Sequence, residues 1–470
     1  MSSYTISKKL NPKKVFILQK SELEKRFDPI FYAHEFNEYE NSLNKKPHKK
    51  FSQILQSINN GFDFRDYKDS GTPYLKVANI KKGEFDFSKI QYINFDSSEI
   101  SKNIQLKKGN ILLTRKGTFG NAIALEQDYD YVISSEVFYL ELKDNSINPK
   151  FLEIFFNSKI GQAQFDKNKI GAIMGSLSQE AIRDLKIPFP ATDVQNEIVN
   201  IFNIYNEKKL NNLEKSKNLL NSIDTYLLKE LGITLPEKEE NTLKSRMFTA
   251  SISELSGSRF DPYYHINYFN KVFQSIEKGK YEYSKMNQYV SFKAGYAFKS
   301  NDYVEKSECS LITIKNIKKN EIDLNDVTFL PSDFYELYKD FQINNEDLLI
   351  AMTGATIGKV GIYNHHNKAL LNQRNGIIKP NSLNPIYLLS LLNLKIYQEI
   401  ILRSSNGGAQ PNISETDIMK ISIPIPPIEK QLEIAEHISA IRKQAQDLKD
   451  QTKLLLEKAN KEIEDILLNT

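Results

Sequence analysis

The chain has 470 residues and a formal net charge of +4, with 63 Lys plus Arg against 59 Asp plus Glu. This near balance of charges excludes a strongly basic tail that coats a polyanion, and it excludes a highly acidic solvating protein. It is compatible with a DNA-binding protein whose basic residues are clustered. The single Cys excludes a disulfide framework and a Cys-based metal site, and it is typical of a reducing compartment. No segment has the apolar core of a signal peptide or the apolar length of a membrane span, so we expect a cytoplasmic protein without a membrane partner.

Six blocks of the first half of the chain recur in the second half, in the same order and about 235 residues further on. The pairs are Arg26–Pro29 with Arg259–Pro262, Gly61–Arg65 with Gly295–Lys299, Tyr74–Asp86 with Leu311–Asp323, Asn110–Gly120 with Asp347–Gly358, Asn148–Pro149 with Asn384–Pro385, and Lys186–Ile198 with Ser422–Ile434. Their order and spacing predict a tandem duplication, and the polar, Pro-containing segment 235–246 joins the two copies.

Each copy begins with short strand patterns separated by Gly and Asn turns, and helical patterns follow late in that part. A Pro-bearing connector then leads into a long helix without an interior Pro. The fold class is therefore mixed α/β (α+β). The predicted order is a first domain at 1–190, a helix at 191–235, a linker at 236–246, a second domain at 247–426 and a second helix at 427–470.

Both long helices carry apolar residues at heptad spacing. The second helix shows this at Ile441, Ala445, Leu448, Thr452, Leu455 and Ala459, and the first at Val194, Ile198, Ile201, Tyr205, Leu213, Leu220, Ile223 and Leu227. Such a stripe requires a partner to bury it. Because the chain is duplicated, we expect the two helices to pair with each other, antiparallel about a pseudo-twofold axis, and to separate the two domains as a coiled coil. Ordinary core packing and pairing with another coiled coil are the alternatives.

We find no catalytic motif in the amino-acid sequence. Gly354–Val360 is one residue too short between its glycines for a phosphate-binding loop, and Val360 stands where a Mg²⁺-binding hydroxyl is needed, so we interpret this segment as a turn. The six His residues show no metal-ligand spacing, and no nucleophile elbow is present. We therefore predict a binding protein without a catalytic or metal site of its own.

The duplicated blocks resemble the DNA-specificity subunit of type I restriction-modification systems over essentially the whole chain. The resemblance is carried by the Gly turns at 117–120 and 354–358, by the segment 358–380, and by the signature at 176–198 that recurs at 412–434. It implies two target-recognition domains that each read one half of a split, asymmetric DNA site. It also implies two spacer helices that set the gap and dock two methyltransferase subunits, with motor-nuclease subunits joining the full complex. The chain itself would then be non-catalytic, and S-adenosylmethionine, ATP and Mg²⁺ would bind the partner subunits.

Reading double-stranded DNA requires Arg, Lys, Asn or Gln for bases, and Lys, Arg, Ser, Thr and turn N–H groups for phosphates. The candidates in the first domain are Arg65, Lys68, Arg115, Lys116, Thr118, Ser134, Ser135, Lys167 and Lys169. The candidates in the second domain are Lys293, Tyr296, Lys299, Thr353, Thr356, Lys359, Asn372, Gln373, Arg374, Arg403, Ser404, Asn406, Gln410 and Asn412. For each residue the alternative role is that of a solvated surface or turn side chain.

Two recurring pairs have other expected roles. Gln195 and Gln431 follow the connectors and either cap the helices or contact the methyltransferase. Arg26 with Asp28, repeated as Arg259 with Asp261, predicts a structural ion pair or cap rather than base reading.

Three other functions remain open from the sequence. The chain is compatible with a specificity partner of a fused methyltransferase-nuclease, with a two-domain adaptor for protein or RNA, and with a stand-alone enzyme that has an unrecognised site. Salt-dependent, sequence-selective binding to duplex DNA separates the adaptor from the other readings.

Overall fold

The computed structural model describes residues 15–23, 29–32, 34–95, 104–171, 175–238, 242, 247, 249, 262–405 and 411–469. The chain divides into two compact units, and each is described by itself below. Unit 1 comprises residues 1–212 and 450–470, and unit 2 comprises residues 213–449. Each unit therefore contains one α/β domain together with a segment of both long helices. The recurring pairs Arg26/Asp28 and Arg259/Asp261 lie outside the described residues.

The α-helices of the described residues are α1 (His34–Asn44), α2 (Phe51–Ile54), α3 (Pro149–Asn157), α4 (Lys159–Asn168), α5 (Gln179–Arg183), α6 (Thr192–Glu230), α7 (Asn267–Glu277), α8 (Phe334–Leu337), α9 (Pro385–Leu392), α10 (Lys395–Ser404), α11 (Glu415–Met419) and α12 (Ile428–Asn469). Helices α6 and α12 contain 39 and 42 residues. Among the helices of the described residues, none combines the length and apolarity that a bilayer crossing requires.

The strands of unit 1 are β1 (His48–Lys50), β2 (Leu55–Asn60), β3 (Thr72–Leu75), β4 (Ile80–Lys81), β5 (Glu84–Phe85), β6 (Gln91–Ile93), β7 (Ile111–Thr114), β8 (Ala122–Ala124), β9 (Val132–Ile133), β10 (Val137–Leu142) and β11 (Lys186–Pro188). The strands of unit 2 are β12 (Tyr283–Lys285), β13 (Val290–Ala294), β14 (Cys309–Ile312), β15 (Thr328–Leu330), β16 (Leu348–Ala351), β17 (Val360–Ile362), β18 (Lys368–Leu371), β19 (Asn375–Pro380) and β20 (Ser422–Pro424).

The same three sheets occur in both units. The four-stranded sheet has the order β2-β10-β7-β8 in unit 1 and β13-β19-β16-β17 in unit 2, with antiparallel neighbours throughout. The three-stranded sheet is β6-β3-β9 or β15-β14-β18, and its second pairing is parallel in both cases. A two-stranded sheet joins β1 to β11, or β12 to β20. The mixed α/β class and the tandem duplication are therefore confirmed.

The four-stranded sheet has a hydrophobic core on each face, because side chains alternate across a strand. In β7, Ile111 and Leu113 join the core beneath helix α3, whereas Leu112 joins the core of the three-stranded sheet. In β16, Leu348 and Ile350 face one core, and Leu349 faces the other. This two-sided burial explains why both strands are continuous apolar runs.

Segments of α6 and α12 pair antiparallel within each unit. In unit 1 the Tyr205 hydroxyl donates to the Glu462 carboxylate at 3.0 Å. In unit 2 the Lys430 ammonium lies 2.6 Å from the Glu230 carboxylate. Burial of Ile441, Ala445, Thr452 and Ala459 agrees with the predicted seam of α12.

The predicted seam of α6 needs one correction. Leu213 is 40% exposed, so it lies outside the seam. Ser216 is buried instead, and its hydroxyl donates to the Ala445 carbonyl at 2.9 Å. A small side chain with a hydrogen-bond partner lets the helices approach closely at this level, which an apolar heptad pattern does not reveal.

Helix α6 also ends earlier than the predicted segment 191–235. Gly232 adopts a left-handed φ of 66°, its N–H donates to the Lys229 carbonyl, and the Ile233 N–H donates to the Leu228 carbonyl. This is the hydrogen-bond pattern of a glycine C-cap, so the helix ends at Glu230.

The recurring glutamines join each long helix to its own domain. The Gln195 amide oxygen accepts from the Asn148 N–H at 2.8 Å, and its NH₂ donates to the Pro190 carbonyl. Gln431 makes the same two contacts, with the Asn384 N–H at 2.9 Å and the Pro426 carbonyl at 2.8 Å. Both glutamines are buried, so they are clamps inside the fold and do not form an exposed contact surface.

We expect Gln431→Ala to lower the free energy of unfolding by about 1–3 kcal/mol, because it leaves a buried N–H and a buried carbonyl without partners. Gln444→Ala, at an exposed position of the same helix, is the matched control and should change stability by less than about 0.5 kcal/mol. Urea unfolding of the two variants checks this, and equal stabilities would contradict the clamp.

Candidate nucleic-acid interface

Unit 1 brings four loops together into one surface, here called loop surface 1, comprising residues 61–68, 115–119, 134–136 and 175–177. Phe62 donates its N–H to the Ile133 carbonyl, and its own carbonyl accepts from the Ser135 N–H. The Arg115 N–H donates to the Glu136 carbonyl at 2.9 Å, and the Leu177 N–H donates to the Arg115 carbonyl at 2.8 Å. These backbone bonds connect four loops that are distant in sequence.

Unit 2 repeats this arrangement as loop surface 2, comprising residues 294–299, 352–356, 372–374 and 411–413. The Gln373 N–H donates to the Tyr296 carbonyl at 2.8 Å. The Met352 N–H donates to the Arg374 carbonyl at 2.9 Å, and its carbonyl accepts from the Ile413 N–H at 3.0 Å. The same order of loops is therefore joined by the same type of backbone bond in both units.

Loop surface 2 contains a cleft of about 590 Å³. Its walls combine apolar side chains with hydroxyl, amide and guanidinium groups, from Ala294, Ile314, Met352, Thr353, Gly354, Ala355, Thr356, Arg374 and Asn412. Four residues predicted from the sequence, from three separate loops, thus face one cleft. The donors among them suit phosphate oxygens or the acceptor edges of bases.

The Gly turns shape both surfaces. Gly117 and Gly354 have left-handed φ values of 71° and 68°, and a Cβ at either position would meet no atom within 4 Å. At Gly120 and Gly358 the φ values are 85° and 83°, and a Cβ would lie 2.8 Å from Phe165 or 2.9 Å from Ile401. The first glycine therefore sits in an open turn, whereas the second permits close packing against α4 in unit 1 and α10 in unit 2.

The segment Gly354–Val360 is a turn between two strands. A phosphate-binding loop needs a helix after its last glycine, whose N-terminal N–H groups meet the phosphates. Here β17 follows instead, and Val360 is buried within it. The structure agrees with the turn interpretation.

The predicted DNA-contacting residues differ in exposure. Those exposed to solvent are Arg65, Lys68, Lys116, Thr118, Lys293, Tyr296, Lys299, Gln373, Arg374 and Asn412. Those half-buried are Arg115, Ser135, Lys167, Lys169, Thr353, Thr356, Lys359, Asn372 and Ser404. Ser134 and Arg403 are buried. Asn406 and Gln410 lie outside the described residues.

Three of these predictions conflict with the packing. Arg403 is 9% exposed, its Nε donates to the Tyr264 carbonyl at 2.7 Å, and its guanidinium lies 3.9 Å from the centroid of the Tyr264 ring. Lys167 forms an ion pair with Glu40 and is only 12% exposed. Ser134 is 3% exposed and donates its N–H to the Leu75 carbonyl. These side chains make packing or ion-pair contacts inside their units, which conflicts with a role in binding DNA.

Two exposed candidate lysines form only solvent-exposed ion pairs. Lys68 lies 2.8 Å from the Asp66 carboxylate, and Lys293 lies 3.5 Å from the Asp340 carboxylate. Solvent-exposed ion pairs contribute little to stability because water and salt screen them. Such lysines can therefore exchange a carboxylate for a phosphate at little cost.

The sequence prediction missed two residues of loop surface 1. Phe62 is 39% exposed at the position that Tyr296 occupies in unit 2, with the same 39% exposure. Glu136 occupies the position of Arg374, directly before the strand that follows the loop. The repeated blocks already align Phe62 with Tyr296, so that signal was present. Glu136 is not among the candidates, because the criteria for base and phosphate contacts include no acidic residue type.

The aromatic residues behind Phe62 hold its loop in place. The Tyr74 hydroxyl donates to the Phe62 carbonyl and accepts from the Phe64 N–H. Burial raises the pKa of Tyr74 above its usual value, so the phenol stays protonated and keeps its donor. The Phe64 and Tyr74 rings pack edge to face, with centroids 5.6 Å apart.

The described residues contain no cluster of metal-ligating side chains. No group of three or more His, Cys, Asp or Glu side chains there is placed to hold a metal ion. Cys309 is buried in β14, and burial raises the pKa of its thiol to about 11, which makes it a poor nucleophile at neutral pH.

Two repeated α/β domains, each with one polar loop surface, define a duplicated recognition scaffold. The family model of the type I restriction modification DNA specificity domain matches residues 48–222 and 278–458. The chain therefore belongs to this family, whose members are generally non-catalytic specificity subunits.

Individual relatives agree with this assignment. The chain is 23% identical over 421 residues to the type I restriction enzyme MjaVIII specificity subunit of Methanocaldococcus jannaschii, covering 86% of this chain and 90% of that subunit. It is 20% identical to the EcoBI specificity subunit of Escherichia coli, covering 88% and 83%. A solved chain from work on complex assembly of the type I restriction-modification system shares the fold, with a TM-score of 0.52, 13% identity and coverage of 90% and 97%.

We expect Gly358→Ala to destabilise the protein more than Gly354→Ala. Both substitutions place a Cβ on left-handed backbone, at a cost of about 1–2 kcal/mol. Only Gly358→Ala also forces Ile401 to move, which adds about 1–3 kcal/mol. Urea unfolding of the pair measures the difference, and equal midpoints would contradict the close packing of the second glycine.

Proposed function

We propose that this chain is the DNA-specificity subunit of a type I restriction-modification complex, and that each unit reads one half of a bipartite, asymmetric site on double-stranded DNA. The observation that carries this proposal is the pair of loop surfaces, which share one backbone framework and differ in side chains. Loop surface 1 presents Arg65, Lys68 and Lys116, whereas loop surface 2 presents Tyr296, Gln373 and Arg374 in the same set of loops. Equal frameworks with different side chains suit half-sites of different sequence.

The remaining parts of the proposal concern the partners. Helices α6 and α12 set the gap between the half-sites and dock two methyltransferase subunits, and motor-nuclease subunits join the full complex. The repeated clamps of Gln195 and Gln431 support this, because they give both helix entrances the same geometry for two identical partners. S-adenosylmethionine, ATP and Mg²⁺ bind the partner subunits, this chain carries no catalysis, and the complex acts on DNA in the cytoplasm.

The direct test is modification-sensitive long-read sequencing of the host genome with this gene intact and with it deleted. We expect a split, asymmetric motif with a fixed unspecified gap to lose its methylation on deletion. Methylation that is unchanged, while a methyltransferase subunit co-purifies with the chain, would contradict the proposal. Selective binding of RNA, without a sequence-selective shift on duplex DNA, would support an adaptor instead.

We expect replacement of residues 1–185 by the corresponding segment of another family member to change one half of the methylated motif. The other half and the gap should stay the same, because unit 2 and the helices after residue 185 are untouched. Replacing residues 262–421 is the reciprocal control and should change only the other half. Sequencing of complemented deletion strains measures both, and a change in both halves from a single replacement would contradict independent reading.

A further inference from the structure

We propose that Glu136 and Arg374 are specificity-determining residues that occupy equivalent positions, with Glu136 reading a cytosine in one half-site and Arg374 reading a guanine in the other. The proposal rests on the proposed function, because it assigns bases to the two loop surfaces. It stands on a reversal of charge between loops that share the same backbone hydrogen bonds to their neighbours.

The equivalence of the two residues follows from the backbone. Strand β10 begins with Val137 opposite Thr114, and strand β19 begins with Asn375 opposite Ala351. The residue before each strand accepts one further bond from the neighbouring loop. The Arg115 N–H donates to the Glu136 carbonyl and the Met352 N–H donates to the Arg374 carbonyl, both at 2.9 Å. Glu136 and Arg374 therefore occupy the same place in the hydrogen-bond ladder.

The charges at this place are opposite in the two units. In unit 1 the neighbouring loop supplies Arg115, and its guanidinium lies 5.0 Å from the centroid of the Phe138 ring with Nε buried. That cation lies against the Phe138 ring, and Glu136, half-buried like Arg115, supplies the opposite charge at this place. In unit 2 the neighbouring loop supplies the apolar Met352, and the exposed Arg374 is the outer charge.

Loop surface 1 contains three carboxylates, and two of them, Asp63 and Asp66, pair with Ser135 and Lys68 of the same surface. No described residue forms a hydrogen bond or an ion pair with the side chain of Glu136, and its electrostatic neighbour is the Tyr74 phenol. Phosphate and the acceptor edge of guanine repel a carboxylate, whereas the N4 amino group of cytosine donates to it in the major groove. Adenine also offers an amino donor, but beside its N7 acceptor, so cytosine satisfies Glu136 best among the base edges.

Arg374 carries a second sign of a functional side chain. Its φ is 70°, in the left-handed region that Gly and Asn adopt far more readily than Arg. Such outliers cluster at binding and switch sites, which makes Arg374 a candidate for a functional side chain. Arg374 borders the cleft of loop surface 2, and a guanidinium there matches the O6 and N7 acceptors of guanine with two parallel hydrogen bonds.

The test uses the full chain in its host, with the gene deleted and complemented by wild type, Glu136→Gln or Arg374→Gln. Long-read sequencing gives the methylated fraction for every base at every motif position. We expect Glu136→Gln to lower discrimination at one C·G pair of the half-site assigned to residues 1–185 by about tenfold or more, with adenine gaining most. Arg374→Gln should do the same at one G·C pair of the other half-site. Each variant leaves the half-site of the other unit unchanged.

Glu126→Gln is the matched control for charge, because Glu126 is an exposed residue of the same domain, 76% exposed, and lies outside loop surface 1. It should leave all positions unchanged. The residue assignment is overturned by half-sites built only from A·T pairs, by unchanged preferences in both variants, or by equal loss at every position of a folded variant. Absence of any split motif in the wild type would instead overturn the proposed function itself, so the two failures are distinguishable.

Discussion

The apolar stripe of each long helix is the constraint on which the other features depend. A helix of about forty residues with a heptad stripe is not stable alone in water, and it requires a partner along its whole length. Within unit 1 the last turns of α12 supply Ile463 and Leu467 to the core beneath the four-stranded sheet. Within unit 2 the last turns of α6 supply Ile223 and Leu227 to the corresponding core. Neither domain core is therefore complete without a helix that begins at the other domain.

This shared burial explains how the chain combines a constant framework with variable chemistry. The clamps of Gln195 and Gln431, the N-caps of Asn148 and Asn384, and the two-sided sheets repeat because they satisfy buried backbone groups. Side chains at the loop tips do not have to satisfy buried backbone groups. Residues such as Arg115 and Met352, or Glu136 and Arg374, can therefore differ while the backbone bond between their loops stays the same.

Corrections to the sequence prediction fall where packing overrides residue type. Lys167 and Arg403 are cations in polar stretches, yet each is directed inward, to Glu40 and to the Tyr264 ring respectively. Leu213 is exposed, whereas Ser216 is buried in the seam and its hydroxyl donates to the Ala445 carbonyl. Side chains with long alkyl stems and small hydroxyl side chains fit both buried and exposed environments. Neighbouring residues from distant segments of the chain therefore decide whether such a side chain is buried.

The sequence by itself determined the duplication, the mixed α/β class, the long paired helices and the family, because each depends on order, spacing or periodicity along the chain. The glycines of both turns and the glutamine after each connector were visible for the same reason. Only the tertiary structure decided which side chains share a surface, since backbone bonds between separate loops create loop surface 1, loop surface 2 and the cleft. It also decided that Glu136 and Arg374 are counterparts, because that relation is a position in a hydrogen-bond ladder rather than a likeness of residues.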